Sequence, residues 1–174
     1  MADKIDVLIS EEDVNKRIRE LGETITKDYN GAPITVICTL KGAAPFACEL
    51  IKRIDLPVEL EFMRVSSYGN ASESSGVVKI VQDLDAPIEG KDVLIVEDII
   101  DSGNTMSYLM KMLAVRKPKS LKLCSLLDKP DRRVAPVNID YKGFEIPDVF
   151  VVGYGLDYAQ KYRNLPFVGE VKEI

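Results

Sequence analysis

Three acidic residues and a run of small polar residues stand together near the middle of the chain. The acids are Glu97, Asp98 and Asp101, and they are followed directly by Ser102, Gly103, Asn104 and Thr105. Carboxylates accept hydrogen bonds from hydroxyl groups and bind hard divalent cations. A small polar loop that leads into a helix offers side-chain donors and free backbone N–H groups to a phosphate. A ribose 5-phosphate, with hydroxyls at one end and a phosphate at the other, would satisfy both halves of the segment.

The flanking sequence indicates how these residues are positioned. Residues 93–96 are apolar and mostly β-branched, which is typical of a strand buried on both faces. After the loop, the spacing of four apolar residues predicts one face of a helix: Met106, Leu109, Met110 and Leu113. The predicted order is strand, acidic turn, small polar loop and helix. The alternative is a buried strand followed by an ordinary capped helix with its acids in solvent, but the whole combination at one junction favours a binding site.

Strands and helices alternate along much of the chain. Further strands are predicted at residues 5–9, 34–40, 58–65, 77–81, 121–127 and 167–171, and the first helix follows Ser10 and ends near Tyr29. This alternation predicts an α/β fold with a parallel sheet and helices on both of its faces. Ligands of such folds bind at the carboxyl ends of strands, where Lys41 and Lys129 are expected to join the three acids.

Bulk composition limits the classes of protein to which the chain can belong. It has 174 residues, 46% hydrophobic and 29% charged, so we expect one globular domain over residues 1–174. No apolar run approaches the roughly 20 residues of a membrane helix, and the N-terminus does not resemble a signal peptide. We therefore expect a cytoplasmic protein without a membrane partner. The net charge of -5 argues against nucleic-acid binding.

Several absences restrict the chemistry. The chain has no histidine, which excludes a Ser-His-Asp triad, a Cys-His pair and histidine-ligated zinc. Its three cysteines, Cys38, Cys48 and Cys124, form no CxxC pair and predict no disulfide framework. The sequences GxGxxG and GxxxxGK[ST] are missing as well, so a Rossmann dinucleotide site and a P-loop lack their markers.

Residues 66–76 are small and polar apart from one tyrosine, and they follow a predicted strand. A segment of this length and composition predicts an irregular loop, because it can bury little apolar surface. It could be a plain hairpin connection. It could also be a mobile lid that closes over a substrate and excludes water.

The segment VEDIIDSGNT resembles the ribose-phosphate signature of the type I phosphoribosyltransferases. Five further motifs occur in the order of that family, namely LKG, SSYG, LLDKPDRR, FVVGYGLDY and YRNLP. Together they are most similar to the short bacterial forms of the hypoxanthine/guanine branch. The resemblance implies a mostly parallel central sheet flanked by helices, with a small hood and a mobile loop.

The resemblance also implies roles for residues that bind the ribose donor. Glu97 and Asp98 would hold the ribose hydroxyls, directly or through metal, and residues 102–105 would hold the 5-phosphate. The pyrophosphate would be bound by Lys41, Gly42 and Arg163, and the peptide bond before Lys41 is often cis in the family. The mobile loop would contact the donor through Ser67 and Tyr68.

A second group of implied roles concerns the base and the metal. Asp101 would exchange a proton with N7 of the purine, and Lys129 would donate to its 6-oxo group. Phe150 would stack on the purine ring, and Val151 would meet the base through its backbone. Magnesium is the implied cofactor, with Asp157 as a ligand of a second ion alongside the Glu97–Asp98 region.

The activity implied by the resemblance is purine salvage. Hypoxanthine, and guanine as well, would react with 5-phosphoribosyl 1-pyrophosphate to give IMP or GMP and pyrophosphate, in a homodimer or homotetramer. Two alternatives stay open at this point. One is a phosphoribosyltransferase for another base, with xanthine more compatible than adenine or a pyrimidine. The other is a non-catalytic regulator with the same fold, which would need a basic nucleic-acid-binding surface.

Overall fold

A six-stranded sheet forms the centre of the computed structural model, which describes residues 4–68 and 77–172, without the side chains of residues 67, 68 and 77. The strands of the described chain are β1 (Lys4–Ile9), β2 (Ile34–Thr39), β3 (Val58–Tyr68), β4 (Val77–Gln82), β5 (Asp92–Ile100), β6 (Ser120–Asp128), β7 (Tyr141–Glu145), β8 (Val151–Val152) and β9 (Val168–Lys172). The α-helices are α1 (Glu11–Tyr29), α2 (Ala44–Ile51) and α3 (Asn104–Ala114), and a 3-10 helix spans Pro130–Arg132.

The order of strands in the central sheet is β4-β3-β2-β5-β6-β7. The five strands from β3 to β7 in that order are parallel, and only the edge strand β4 is antiparallel to its neighbour. The carboxyl ends of β2, β5 and β6 therefore meet at one edge of the sheet. The mostly parallel sheet expected from the sequence is confirmed.

Side chains of the inner strands alternate between two cores, one on each face of the sheet. On one face, Val36 and Leu94 pack with buried residues of α1 and α2. On the other face, Ile37 and Ile95 pack against Leu109 of α3. This alternation follows from the two-residue period of a strand, and it explains why 93–96 is apolar throughout. None of the described helices has both the length and the apolar character that a membrane span requires.

Helix α1 begins and ends where its sequence indicates. Ser10 is the N-cap, and its hydroxyl oxygen accepts a hydrogen bond from the Asp13 N–H at 3.1 Å. Asn30 ends the helix in the left-handed conformation, with φ 46°. Its buried stripe packs on the sheet and covers part of one face. The stripe consists of Val14, Ile18, Leu21 and Ile25.

A second, antiparallel sheet of three strands has the order β1-β9-β8. It joins the two ends of the described chain, because Lys4 pairs with Lys172 and Val7 with Gly169. We identify it with the small hood that the resemblance implies. It carries the segment from Gly153 to Phe167, which lies between β8 and β9.

Two elements differ from the sequence prediction. β5 continues to Ile100 because it keeps pairing with β6, so Glu97 and Asp98 lie in the strand and the prediction of an acidic turn is wrong. β3 continues to Tyr68, where Ser67 pairs with Val78 and Tyr68 with Val77 of β4. The prediction of an irregular loop that starts at residue 66 is therefore wrong as well. The rest of the proposed lid, residues 69–76, lies outside the described residues.

Candidate active site

A pocket of about 280 Å³ opens where β5 meets α3. It is lined by Glu97, Ile99, Ile100, Asp101, Ser102, Gly103, Thr105 and Met106. The sequence predicted most of these residues as one site. Asn104 is the first residue of α3 and is not part of the lining of this pocket.

The loop before α3 has the features of an anion site. Gly103 has φ +81°, and a Cβ on it would lie 2.6 Å from the Ala135 carbonyl oxygen, so this position requires glycine. Gly103 also provides no capping side chain for α3. Thr105 and Met106 line the pocket and belong to the first turn of α3, where backbone N–H groups have no partner within the helix and the helix dipole is positive. The arrangement suits a phosphate.

Glu97 and Asp98 are adjacent carboxylates in a partly buried position. The Asp98 N–H donates to Glu97 Oε1 at 3.0 Å, and the Ile99 N–H donates to Asp98 Oδ1 at 2.7 Å. Burial raises the pKa of Glu97 well above its ordinary value, and the charge of Asp98 raises this pKa further. Burial also raises the pKa of Asp98, although a hydrogen bond from Glu97 opposes the rise. The positive groups around the pair therefore do not balance the negative charge that the two carboxylates would carry.

A divalent cation would supply that charge, and oxygen ligands are what a hard cation prefers. Within the described ranges, however, no group of three or more Asp, Glu, Cys or His side chains could hold a metal by itself. The residues present fit a cation that takes its other ligands from a substrate and from water, as magnesium commonly does.

Asp101 and Lys129 come together across two strand ends. Lys129 Nζ lies 3.5 Å from Asp101 Oδ1, and the lysine side chain is 9% exposed whereas that of Asp101 is 50% exposed. The backbone fixes this contact, because the Lys129 N–H donates to the Ile100 carbonyl at 2.9 Å. A donor and an acceptor thus lie side by side at the edge of the site.

Phe150 and Val151 lie at the start of β8. Phe150 is 53% exposed, and its ring meets the ring of Tyr158 edge-on, with centroids 5.5 Å apart. The Phe150 carbonyl accepts from the Val171 N–H at 2.9 Å, and Val151 is buried and pairs with Glu170 in β9. An exposed aromatic face on a fixed backbone is suited to stacking on a flat base.

The residues expected to bind pyrophosphate form one connected group. The Leu40–Lys41 peptide bond is cis, as the resemblance implies. Lys41 Nζ lies 3.4 Å from Gln160 Oε1, and the Gln160 N–H donates to Asp157 Oδ2 at 2.7 Å. The other Asp157 oxygen, Oδ1, pairs with Arg163 Nη2 at 2.7 Å.

Two glycines allow these segments to approach each other. A Cβ on Gly42 would lie 1.7 Å from Asp98 Oδ2, and a Cβ on Gly155 would lie 1.9 Å from the Gly42 carbonyl oxygen. Arg163 Nη1 donates to the Gly155 carbonyl at 2.7 Å. The loop after β2, the end of β5 and the loop after β8 are therefore in direct contact.

A family model described as a phosphoribosyl transferase domain matches residues 9–159. The chain belongs to the phosphoribosyltransferase family. The resemblance inferred from the sequence is confirmed by this match.

Individual relatives cover nearly the whole chain. This chain is 56% identical over 166 residues to the hypoxanthine-guanine phosphoribosyltransferase of Bacillus subtilis. The matched region covers 95% of this chain and 92% of that protein. The chain is 57% identical over 166 residues to the bifunctional protein TilS/HprT of Listeria innocua, of which it spans 26%. A crystal structure of a hypoxanthine-guanine phosphoribosyltransferase from Bacillus anthracis superposes with a TM-score of 0.94 at 49% identity, covering 97% of this chain and 100% of that one.

Three contacts in this phosphoribosyltransferase were not foreseen as part of the site. Arg133 Nε donates to the Asp101 carbonyl at 3.1 Å, Asp148 contacts Lys129, and Gln160 links Lys41 to Asp157. Arg133 lies in the charged run after β6, and that run was the only feature of the sequence that could have indicated its place in the site. The side chains of Ser67 and Tyr68 are not described, so their predicted contacts with the donor stay predictions.

Proposed function

We propose that this chain is a purine-salvage enzyme that transfers ribose 5-phosphate from 5-phosphoribosyl 1-pyrophosphate to hypoxanthine and guanine. The products are IMP or GMP and pyrophosphate. The proposal agrees with the printed names of the relatives in Bacillus subtilis and Bacillus anthracis. Within the molecule it depends on one observation, the pairing of Asp101 with Lys129.

The Asp101–Lys129 pair is complementary to one edge of a 6-oxopurine. O6 is an acceptor and faces a lysine ammonium, while a protonated N7 is a donor and faces a carboxylate. The two protein groups are 3.5 Å apart, which suits neighbouring atoms on one edge of the base. Adenine carries an amino group at position 6, which would meet the ammonium donor to donor. A buried donor left unpaired in this way gives strong discrimination.

The same pair can serve the chemical step. The lone pair of N9 forms the bond to C1 of the ribose, and the C1–O bond breaks with its electrons leaving on pyrophosphate. The N7–H bond gives its electrons to the ring and its proton to the Asp101 carboxylate, so the product nucleotide is neutral at that edge. General-base assistance of this kind contributes about a hundredfold to ten-thousandfold.

Ribose and phosphates have their own partners in this proposal. Glu97 and Asp98 accept from the ribose hydroxyls or hold them through a cation, and residues 102–105 hold the 5-phosphate with side-chain and backbone donors. Lys41, Gly42 and Arg163 bind pyrophosphate, since a guanidinium suits phosphate oxygens. Glu97 and Asp98 would hold one magnesium ion and Asp157 a second, each completed by oxygens of the substrate and of water, and these ions would supply further neutralisation of the leaving group.

The remaining roles follow the family resemblance. Phe150 stacks on the base and Val151 meets it through backbone atoms, while Ser67 and Tyr68 contact the donor from the lid. We also propose a single domain over residues 1–174, a homodimer or homotetramer and a cytoplasmic location. Light scattering of the purified protein checks the assembly, and fractionation of cells checks the location.

Purified protein, the donor and magnesium, incubated with hypoxanthine, guanine, xanthine or adenine, test the activity directly. We expect nucleotide from hypoxanthine and guanine and none above background from adenine, with formation followed by chromatography. Turnover of xanthine ahead of both would redirect the proposal to a xanthine-preferring enzyme. Absence of any nucleotide, or adenine used as well as hypoxanthine, would overturn it.

A further inference from the structure

Asp148 is a charged residue next to the base-binding groups that has no role in the proposed reaction. Its Oδ1 lies 4.0 Å from Lys129 Nζ, and its Oδ2 lies 3.5 Å from Arg132 Nη1. The ammonium of Lys129 therefore has two carboxylates nearby, Asp101 at 3.5 Å and Asp148 at 4.0 Å.

The backbone fixes the place of Asp148 in the segment that leads to Phe150. The Val149 N–H donates to the Pro147 carbonyl at 2.9 Å, which closes a three-residue turn with Asp148 at its centre. Phe150, the proposed stacking residue, follows two positions later. At the start of this segment the Ile146 N–H donates to the Asp128 carbonyl at 2.9 Å, next to Lys129 in sequence. The turn and Lys129 are thus joined by backbone as well as by charge.

The two carboxylates change differently during the reaction. When the N7 proton reaches Asp101, that carboxylate becomes neutral and no longer balances the ammonium. Lys129 has a side chain only 9% exposed, so solvent compensates its charge poorly. A buried charge that loses its partner is strongly unfavourable. Asp148 accepts no proton in this step and is the second carboxylate within reach.

We propose that Asp148 is a positioning residue that keeps the ammonium of Lys129 balanced and in place while Asp101 takes up the N7 proton. This role rests on the proposed function. Arg132 holds the other oxygen of the Asp148 carboxylate and keeps it oriented. Lys129 then stays on O6 through the step at which the ion pair with Asp101 is lost. The stabilisation is greatest in the transition state, so it acts on kcat more than on KM.

The variant Asp148→Asn tests this role with purified enzyme, hypoxanthine, donor and magnesium. Asp148 is half exposed, so we expect kcat to fall by about tenfold, the lower part of the range for a charge-assisted contact. KM for the donor should change by less than about threefold, because Asp148 is not among the residues proposed to hold the donor. Asp148→Glu, which keeps the charge, should recover most of kcat. Asp131→Asn on the neighbouring 3-10 helix is the matched control and should leave kcat unchanged.

A double-mutant cycle separates positioning from a structural role. In a Lys129→Gln background, Asp148→Asn should have no further effect on kcat, because the two residues act through one contact. Independent, multiplying effects would overturn the role, and so would an unchanged kcat in Asp148→Asn alone. Thermal unfolding shows whether each variant is folded. If Asp148→Asn does not fold, Asp148→Ser replaces it, and the same fall in kcat is expected. If the wild-type protein makes no nucleotide, both the proposed function and this role of Asp148 are wrong. If the wild-type protein does make nucleotide, the variants test the role of Asp148 alone.

Discussion

At the scale of single residues, the proposed function assigns both the choice of base and the transfer of the proton to the contact between Asp101 and Lys129. Asp101 is 50% exposed and can receive a substrate, whereas the Lys129 side chain lies deep in the site. We predict that Asp101→Asn lowers kcat for hypoxanthine by about a hundredfold to ten-thousandfold, because an amide cannot take up the N7 proton. Steady-state kinetics measure this, with Asp131→Asn as control. Unchanged turnover would remove Asp101 from the catalytic role.

Glu97 is the residue at which binding and stability are expected to conflict. Burial raises its pKa in the folded chain above the ordinary value of 4.5. Between pH 4.5 and the raised pKa the folded state keeps a proton that the unfolded state has lost, so stability falls as the pH rises through this interval.

We therefore predict that Glu97→Gln raises the Tm of metal-free, ligand-free protein at pH 8, and raises it less near pH 4.5. The same variant should lose affinity for the ribose donor, a common trade-off at binding sites. Glu59→Gln is the control of opposite sign, because the hydrogen bond from Lys91 lowers the pKa of Glu59. Thermal unfolding at the two pH values decides; a lower Tm for Glu97→Gln at pH 8 contradicts the burial of an uncompensated charge.

At the scale of elements, the β5–α3 junction depends on the left-handed conformation of Gly103. We predict that Gly103→Ala raises KM for the donor by about tenfold or more, because the Cβ would meet the Ala135 carbonyl and displace the phosphate loop. Gly90→Ala is a matched control, since Gly90 has φ +72° and nothing within 4 Å of an added Cβ. Both variants should lose about 1–2 kcal/mol of stability from the left-handed backbone. An unchanged KM in Gly103→Ala would show that the loop does not hold the donor.

The elements themselves could largely be predicted from local sequence. The apolar run 93–96, the helical spacing from Met106 to Leu113 and the cap at Ser10 each specify their element through short-range physics. Two strand ends could not be predicted, because they depend on partners. Glu97 and Asp98 continue β5 through pairing with β6, and Ser67 and Tyr68 continue β3 through pairing with β4.

The candidate site divides in the same way. Residues adjacent in sequence, from Glu97 to Thr105, were recognised together from composition and spacing. The contact of Asp148 with Lys129 and that of Arg133 with the Asp101 carbonyl join strand ends that meet only in the folded sheet. No local pattern encodes such contacts, and the motifs of the family pointed only to the residues it uses directly.

At the scale of the whole molecule, the proposed function requires an acidic chain to bind a highly anionic donor. The net charge is -5, and Glu97 and Asp98 add unfavourable charge at the site itself. We predict that the donor raises the Tm in the presence of magnesium and that chelation with EDTA abolishes most of this shift, since a ligand stabilises only the state it binds. Differential scanning fluorimetry measures the shift, with EDTA alone as control. An equal shift without magnesium would show that Lys41 and Arg163 neutralise the donor unaided.

The arrangement of the two sheets brings the loops after β2, β5, β6 and β8 to one edge, and a nucleotide bound there would contact all of them. The most direct test is a crystal structure with IMP. The account predicts phosphate oxygens on the N–H groups at the start of α3, ribose hydroxyls at Glu97 and Asp98, and the purine edge between Asp101 and Lys129. A nucleotide bound elsewhere, with the β5–α3 pocket free of it, would contradict the account.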